Sequence, residues 1–226
     1  MKAEKISELT TNRLSIYLRC LLELRSEGQS TVSSAALAKR FHLNSAQIRK
    51  DLAYFGEFGI RGVGYYVDTL IDNLRTILGL DHDHNVCIIG SGRLGTALAD
   101  YNGFRKSNFS VKALFDADAK KIGKKVGGAE IFDIKNFQSV VKRNNIDIAV
   151  IAVPADSAER VLELVAKAGI KAVMNFAPVP LKATDHLKVR TVDLTTCLES
   201  LSFFLAGTES INGSGLKPKR NTRRKR

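Results

Sequence analysis

Gly90, Gly92 and Gly95 stand in a G-x-G-x-x-G arrangement inside the run Asn85-Val-Cys-Ile-Ile-Gly-Ser-Gly-Arg-Leu-Gly95. This spacing suits the binding of a dinucleotide's phosphates, provided a strand precedes it and a helix follows. Val86–Ile89 supply the short apolar strand, and Leu94, Leu98 and Tyr101 recur at helical spacing afterwards. The first glycine would permit a tight turn, the second would let a pyrophosphate approach the backbone, and the third would let helix and sheet pack closely. Amide groups at the helix start would face the phosphates, aided by the helix dipole. Gly90, Ser91, Gly92, Arg93, Leu94 and Gly95 are therefore candidate cofactor-binding residues. Asp116 lies 21 residues beyond Gly95, near the ~20-residue offset of the acid that accepts hydrogen bonds from an adenosine ribose. Such a carboxylate repels a 2′-phosphate and favours NAD over NADP, although Lys120 and Lys121 soften that preference. The glycines could instead serve packing alone, or the pocket could hold CoA or a flavin nucleotide.

The elements that would position these residues follow from the pattern of the remaining chain. Val111, Ala113 and Phe115 alternate into Asp116 as a second strand, and Ala129–Phe132 read as a third. Asp147–Val153 is nearly unbroken apolar sequence, as expected for a central parallel strand covered on both faces. Lys171–Asn175 and Val189–Asp193 give two further strands, with helices through Val140–Val141, Ala158–Ala168 and Thr195–Leu205. Alternating strands and helices imply a doubly wound, Rossmann-like parallel sheet, whose ligands sit at the carboxyl ends of the strands. Val153, Pro154, Asn175, Phe176 and Ala177 occupy such ends and join the cofactor candidates.

The first eighty residues have a different organisation. Ile6, Leu9, Leu14, Leu18, Leu21, Leu22 and Leu24 give a helical stripe ending near Gly28, and Ser33 caps a short second helix to Phe41. Asn44 with Gln47 forms a capping box for a third helix, expected over Ser45–Phe55. Two short helices joined by a tight turn make a helix-turn-helix. At 3.6 residues per turn, Ile48, Leu52 and Phe55 face the first two helices, while Ala46, Lys50 and Ala53 lie opposite. Ser45, Ala46, Gln47, Arg49, Lys50 and Tyr54 are the candidate DNA contacts: small residues allow close approach, and Gln47, Arg49 and Lys50 can reach phosphates or base edges. A solvated basic face on an ordinary helix is the competing reading. Four glycines within Gly56–Gly64 suit a hairpin wing, with Arg61 and Gly62 at its tip; a glycine-rich linker is the alternative. A helix through Leu70–Leu78 follows.

The expected organisation is α/β: a winged helix-turn-helix domain over 1–80, a Rossmann domain over 85–194, a C-terminal helix over 195–207, and a basic tail over 208–226 expected to be disordered. The 226 residues carry a formal charge of +12, which invites an anionic partner such as nucleic acid. Seven cations and no anion fall in Lys217–Arg226, leaving +5 for the rest. Cys20, Cys87 and Cys197 fit no metal-ligand or C-x-x-C spacing, and His82 and His84 lie in a polar linker, so no metal is expected. Met1–Thr11 has no apolar h-region and no apolar run approaches the ~20 residues of a membrane span, so a cytoplasmic protein is expected. A hydride-transfer enzyme would need a substrate domain and an acid–base group beside the nicotinamide. The nucleotide fold uses nearly all the chain after Asn85, and His186 sits in a polar stretch. Those features point to a sensor, not an enzyme.

The chain closely resembles the redox-sensing transcriptional repressor Rex family. The resemblance rests on Ala46-Gln47-Ile48-Arg49-Lys50-Asp51-Leu52, Tyr54-Phe55-Gly56-Glu57-Phe58-Gly59, Arg61-Gly62-Val63-Gly64-Tyr65, Gly90–Gly95, Ala97–Tyr101, Leu114-Phe115-Asp116, Ala152–Ala155 and Asn175–Val179. Gly-Ser-Gly-Arg departs from the family's common Gly-Ala-Gly-Asn, which places the phosphate contacts of Arg93 in question. The resemblance implies a homodimer that binds an inverted-repeat operator in double-stranded DNA and is released when NADH replaces NAD+. It implies that the C-terminal helix is exchanged between subunits. It also implies a switch in which Asp193 pairs either with Arg19 of the other subunit or with Tyr101, placing Tyr101 and Asp193 near the nicotinamide. A small NAD- or CoA-linked enzyme with an accessory basic domain is the alternative, and a DNA-compacting structural protein a third.

Overall fold

The computed structural model describes residues 6–182 and 186–212. The chain divides into two compact units, Met1–Asp83 with Gly103–Phe109, and His84–Asn102 with Ser110–Arg226.

In the first unit, α1 (Glu8–Ser26) starts at Ser7, whose hydroxyl accepts the Thr10 amide at 3.2 Å. Its inward face buries Leu14, Tyr17, Leu18, Leu21 and Leu24. After the two-residue strand β1 (Thr31–Val32), α2 (Ser34–Phe41) is capped by the Ser33 side chain, and α3 (Ser45–Ala53) by the Asn44 side chain. His42 takes a left-handed conformation at the end of α2, which turns the chain into α3. Ile48 and Leu52 are buried among α1 and α2, and Phe55 packs partly buried beside them. Burying each such side chain contributes about 1.5–3 kcal/mol. The third helix is shorter than expected, ending at Ala53 rather than Phe55. The hairpin of β2 (Gly59–Ile60) and β3 (Gly64–Tyr66) closes with the Val63 amide on the Ile60 carbonyl at 3.1 Å. Gly62 takes φ +83° in that turn, a conformation that side chains disfavour. The hairpin gains a third strand, since β1 pairs antiparallel with β3. Then α4 (Val67–Ile77) packs on α1 through Val67, Leu70, Ile71 and Leu74.

The second unit holds a seven-stranded sheet. Its strands are β4 (His84–Ile89), β5 (Phe109–Asp116), β6 (Lys125–Val126), β7 (Ala129–Asp133), β8 (Ile148–Ile151), β9 (Ala172–Asn175) and β10 (Lys188–Thr191). Their order is β10-β9-β8-β4-β5-β7-β6. β4, β8, β9 and β10 run parallel, as do β5 and β7. β6 is antiparallel to β7, so one edge departs from the all-parallel expectation. The helices of this unit are α5 (Arg93–Ala99), α7 (Phe137–Arg143), α8 (Ala155–Lys167) and α9 (Leu194–Asn212), while α6 (Asn102–Lys106) belongs from Gly103 onward to the first unit. Phe115 and Phe137 meet edge to face with centroids 4.7 Å apart, at the centre of a core that includes Cys87, Ala149, Ile151 and Val173. Burial pushes the Cys87 thiol pKa up, as for a small apolar residue.

Two boundaries need correction. α9 begins at Leu194 and runs on to Asn212, so residues 208–212 continue the helix rather than belonging to the tail. Residues 213–226, including the basic run, lie outside the described residues. Along α9, Leu198, Leu201, Phe203, Phe204 and Leu205 are exposed, so its apolar side is uncovered in one chain.

Candidate functional site

The three glycines after β4 have three different environments. Gly90 takes φ +99°, and a Cβ there would lie 2.5 Å from the Ala152 carbonyl oxygen. Its amide donates to the Phe115 carbonyl at 2.8 Å, tying the turn to β5. At Gly95 a Cβ would lie 1.8 Å from the Gly90 carbonyl oxygen, so α5 can pack here only with glycine. Gly92 differs: a Cβ there would meet nothing within 4 Å. The protein's own packing leaves that position open, so glycine at 92 keeps space for a ligand against the backbone. Gly92 is also the N-cap of α5 with no side-chain capping bond, so that end of the helix is not closed by a side chain. Arg93 and Leu94 are exposed beside the opening, whereas Ser91 and Gly95 are buried. The cradle thus fits the pyrophosphate of a dinucleotide.

Asp116 sits at the carboxyl end of β5 and is bound directly to this loop. Its Oδ2 accepts the Ser91 amide at 2.9 Å, the Ser91 hydroxyl at 2.6 Å and Lys121 Nζ at 3.0 Å. Its Oδ1 accepts the Asp118 amide at 2.9 Å. Burial opposes ionisation, but hydrogen bonds from Ser91, Asp118 and Lys121 outweigh it and hold the carboxyl well below the usual carboxylate range. Asp116 is therefore an acceptor beside the cradle whose charged form these bonds favour. The hydroxyl of Ser91 as its anchor was not anticipated from the sequence.

The strand-end candidates separate by role. Val153 is partly buried, with its Cγ1 3.1 Å from where a Cβ on Gly90 would lie, and Pro154 is the exposed N-cap of α8. Asn175 is fully buried, and its side chain is spent on its own loop. Nδ2 donates to the carbonyls of Ala177 at 3.2 Å and Val179 at 2.9 Å and to Thr191 Oγ1 at 3.3 Å, while Oδ1 accepts the Ala177 amide at 2.9 Å. Asn175, one of the cofactor candidates, shapes the Phe176–Ala177 turn with its side-chain amide. The Phe176 amide joins the turn to β8 at the Ile151 carbonyl, 2.8 Å away, and Ala177 is buried. Tyr101 is exposed after α5. The Asp193 carboxylate accepts the amides of Thr195 at 2.8 Å and Thr196 at 3.3 Å, capping α9. Those two amides hold its carboxyl below the ordinary range. Arg19 is exposed on α1 of the first unit.

In the first unit, α3 presents Ala46, Arg49, Lys50 and Tyr54 to solvent, with Ser45 and Gln47 half-buried. Arg49 Nη1 reaches back to Ser34 Oγ at 3.0 Å, which fixes α3 against α2. Arg61 and Gly62 are exposed at the hairpin tip. The expected capping box is only half formed. Asn44 Oδ1 accepts the Gln47 amide at 3.0 Å, but the Gln47 side chain turns the other way, with Nε2 on Asp51 Oδ1 at 2.8 Å. Asp51 is only 4% exposed and is the centre of a polar cluster. Arg13 donates Nε to Oδ2 at 2.6 Å and Nη2 to Oδ1 at 2.8 Å, and Tyr17 OH donates to Oδ2 at 2.9 Å. Burial works against the charge on Asp51, yet Arg13, Gln47 and Tyr17 hold its carboxyl below the usual range. Burial and the Asp51 bond push the Tyr17 hydroxyl pKa up. The sequence did carry one signal for this cluster: Asp51 falls three residues after Ile48, on the apolar stripe.

Among the described residues no group of three His, Cys, Asp or Glu side chains could hold a metal. No helix among them is long and apolar enough to cross a membrane.

Comparison with known proteins accounts for both units. A family model described as a CoA binding domain matches residues 81–179, and one described as a putative DNA-binding protein N-terminus matches residues 5–53. The redox-sensing transcriptional repressor Rex of Carboxydothermus hydrogenoformans is 49% identical over 90% of this chain and 98% of that protein. Its counterpart in Desulforamulus reducens is 47% identical over 91% of this chain and 98% of its own length. Among solved structures, RSP in complex with β-NAD+ and operator DNA superposes with a TM-score of 0.87 at 38% identity, covering 92% of this chain and 95% of that one. RSP in complex with β-NADH gives 0.82 at 36% identity, covering 92% and 98%. The chain therefore belongs to the redox-sensing transcriptional repressor Rex family, and is a repressor rather than an enzyme.

Proposed function

We propose that this cytoplasmic repressor binds an inverted-repeat operator as a homodimer and leaves it when NADH replaces NAD+ in the cradle after β4. The open space at Gly92, flanked by two glycines that packing itself requires and by the ordered carboxylate of Asp116, carries this reading. In it, the pyrophosphate lies over Gly90–Gly95, with Arg93 and Leu94 at the rim. Asp116 accepts the adenosine ribose hydroxyls, a role that suits an unphosphorylated ribose and not the 3′-phosphorylated ribose of coenzyme A. Val153, Pro154, Phe176 and Ala177 line the nicotinamide end, with Asn175 holding their loop.

On DNA, the start of α3 enters the major groove, where Ser45, Ala46, Gln47 and Lys50 meet bases or phosphates and Arg49 and Tyr54 contact the backbone. Arg61 and Gly62 reach the adjacent minor groove, whose negative potential favours arginine. The uncovered apolar side of α9 supports exchange of this helix between the subunits. Asp193, at the head of that helix, and Tyr101 lie in the nucleotide unit, and Arg19 is free to meet a partner subunit's carboxylate. Reduction of the nicotinamide removes its positive charge, and a nearby carboxylate feels the difference. The effector shifts the two arrangements of the heads only by its differential affinity for them.

Gly92→Glu tests the cradle, because its side chain fills the open space with a like charge. Operator binding is expected to survive in this variant while the NADH response is lost. Persistent release by NADH would overturn the site assignment.

A further inference from the structure

We propose that Gln47 reads adenine in the major groove, in an orientation imposed by Asp51. The inference rests on the reading of α3 as the recognition helix and specifies what one of its residues recognises.

An ionised carboxylate can only accept hydrogen bonds. Asp51 is kept ionised by the fork of Arg13, which takes both of its oxygens at 2.6 and 2.8 Å, and by Tyr17 at 2.9 Å. The Gln47 amide must therefore turn its nitrogen, not its oxygen, toward Asp51, and Nε2 stands 2.8 Å from Oδ1. Oε1 is left as the unbonded end of the group, beside the second hydrogen of Nε2. A phosphate has no donor for Oε1. Guanine presents two acceptors in the major groove and thymine one, so each would oppose a lone pair to Oε1. Cytosine offers a single amine. Adenine offers its N6 amine to Oε1 and its N7 to the remaining N–H, matching both free positions of the amide. Gln47 is half-buried in the first turn of α3, the part of a recognition helix that meets base edges. Asp51, buried behind it, is a positioning residue: it touches no base and acts by choosing which end of Gln47 faces outward.

The experiment is a selection with the full-length protein, without nucleotide, from duplexes randomised over both half-sites. Base preferences at each position are compared among the wild type, Gln47→Met and Asp51→Asn. The wild type is expected to prefer adenine over guanine about tenfold at one position of each half-site. That preference should collapse in Gln47→Met while the other positions keep theirs. In Asp51→Asn the same position should come to tolerate guanine. A neutral amide at 51 can donate as well as accept, so Gln47 can turn its N–H groups outward to guanine O6 and N7. Gln47→Met leaves Asp51 with Arg13 and Tyr17, so it carries the test even if Asp51→Asn folds poorly. A uniform loss of affinity across all sequences in Gln47→Met would overturn the proposal, as would loss of preference for any other base. A wild type with no base preference anywhere would overturn the operator reading beneath it.

Discussion

Asp51 and Asp116 are two carboxylates with similar bonding and opposite surroundings. Each accepts hydrogen bonds on both oxygens, each has a basic partner, and each is held below its usual pKa range. Asp51 is sealed behind Arg13 and Tyr17 in a helical head, with α1 on one side and α3 on the other. Asp116 stands at the open end of a sheet, bonded to the loop whose second glycine faces empty space. Partner count alone does not distinguish a carboxylate sealed inside a core from one beside an open loop. What distinguishes them is whether the adjoining space is filled by the protein or left free.

The sharpest way to break the comparison is to remove the basic partner of the sealed carboxylate. Arg13→Met leaves Asp51 buried with its charge uncompensated and should cost about 3 kcal/mol of stability in the head, the lower end for a broken buried pair because Arg13 is partly exposed. Chemical denaturation would read it. The cost should also depend on pH. A depressed folded-state pKa gives stability that is present above the unfolded value of about 4 and is lost as pH falls through the folded value. The gap between wild type and Arg13→Met should therefore narrow in acid below about pH 4. A constant gap would mean that the pair contributes packing rather than charge.

Removing the open carboxylate itself should act on ligand binding as well as on stability. Asp116→Ala gives up the bonds from Ser91, Asp118 and Lys121 and should cost about 1–3 kcal/mol of stability in the nucleotide unit. It should also weaken NADH binding about tenfold or more, through loss of charge-assisted bonds to the ribose. Calorimetric titration beside thermal melting separates the two effects. Lys50→Ala is the smallest change. It should lower operator affinity modestly and reduce the salt dependence of binding by about one unit of slope; an unchanged slope would argue against a phosphate contact at Lys50.

Much of this organisation was legible in the residues themselves. Ser33 and Asn44 announced two helix starts because a side-chain cap is a local event. Gly90–Gly95 announced the tight turn from β4 into α5 because its spacing is backbone geometry. The two-residue strands Thr31–Val32 and Lys125–Val126 were not legible, since two residues carry no periodicity and only tertiary pairing makes them strands. The end of α9 was misplaced for a related reason. Thr208–Asn212 is mostly small and polar, which composition assigns to a tail and which the helix continues through. Side-chain partners were not legible where more than one lay within reach. The Gln47 side chain went to Asp51 rather than to the capping box, and the Asn175 amide to its own loop. The hydroxyl of Ser91 went to a carboxylate 25 residues away.

The central claim is that one chain joins a DNA-reading head to a redox-reading cradle with a defined sign. Fluorescence anisotropy of a labelled palindromic operator, titrated at fixed salt with NADH and separately with NAD+, tests it most directly. Release by NADH with retention in NAD+ is the predicted result. Equal effects of the two nucleotides, or none from either, would contradict it.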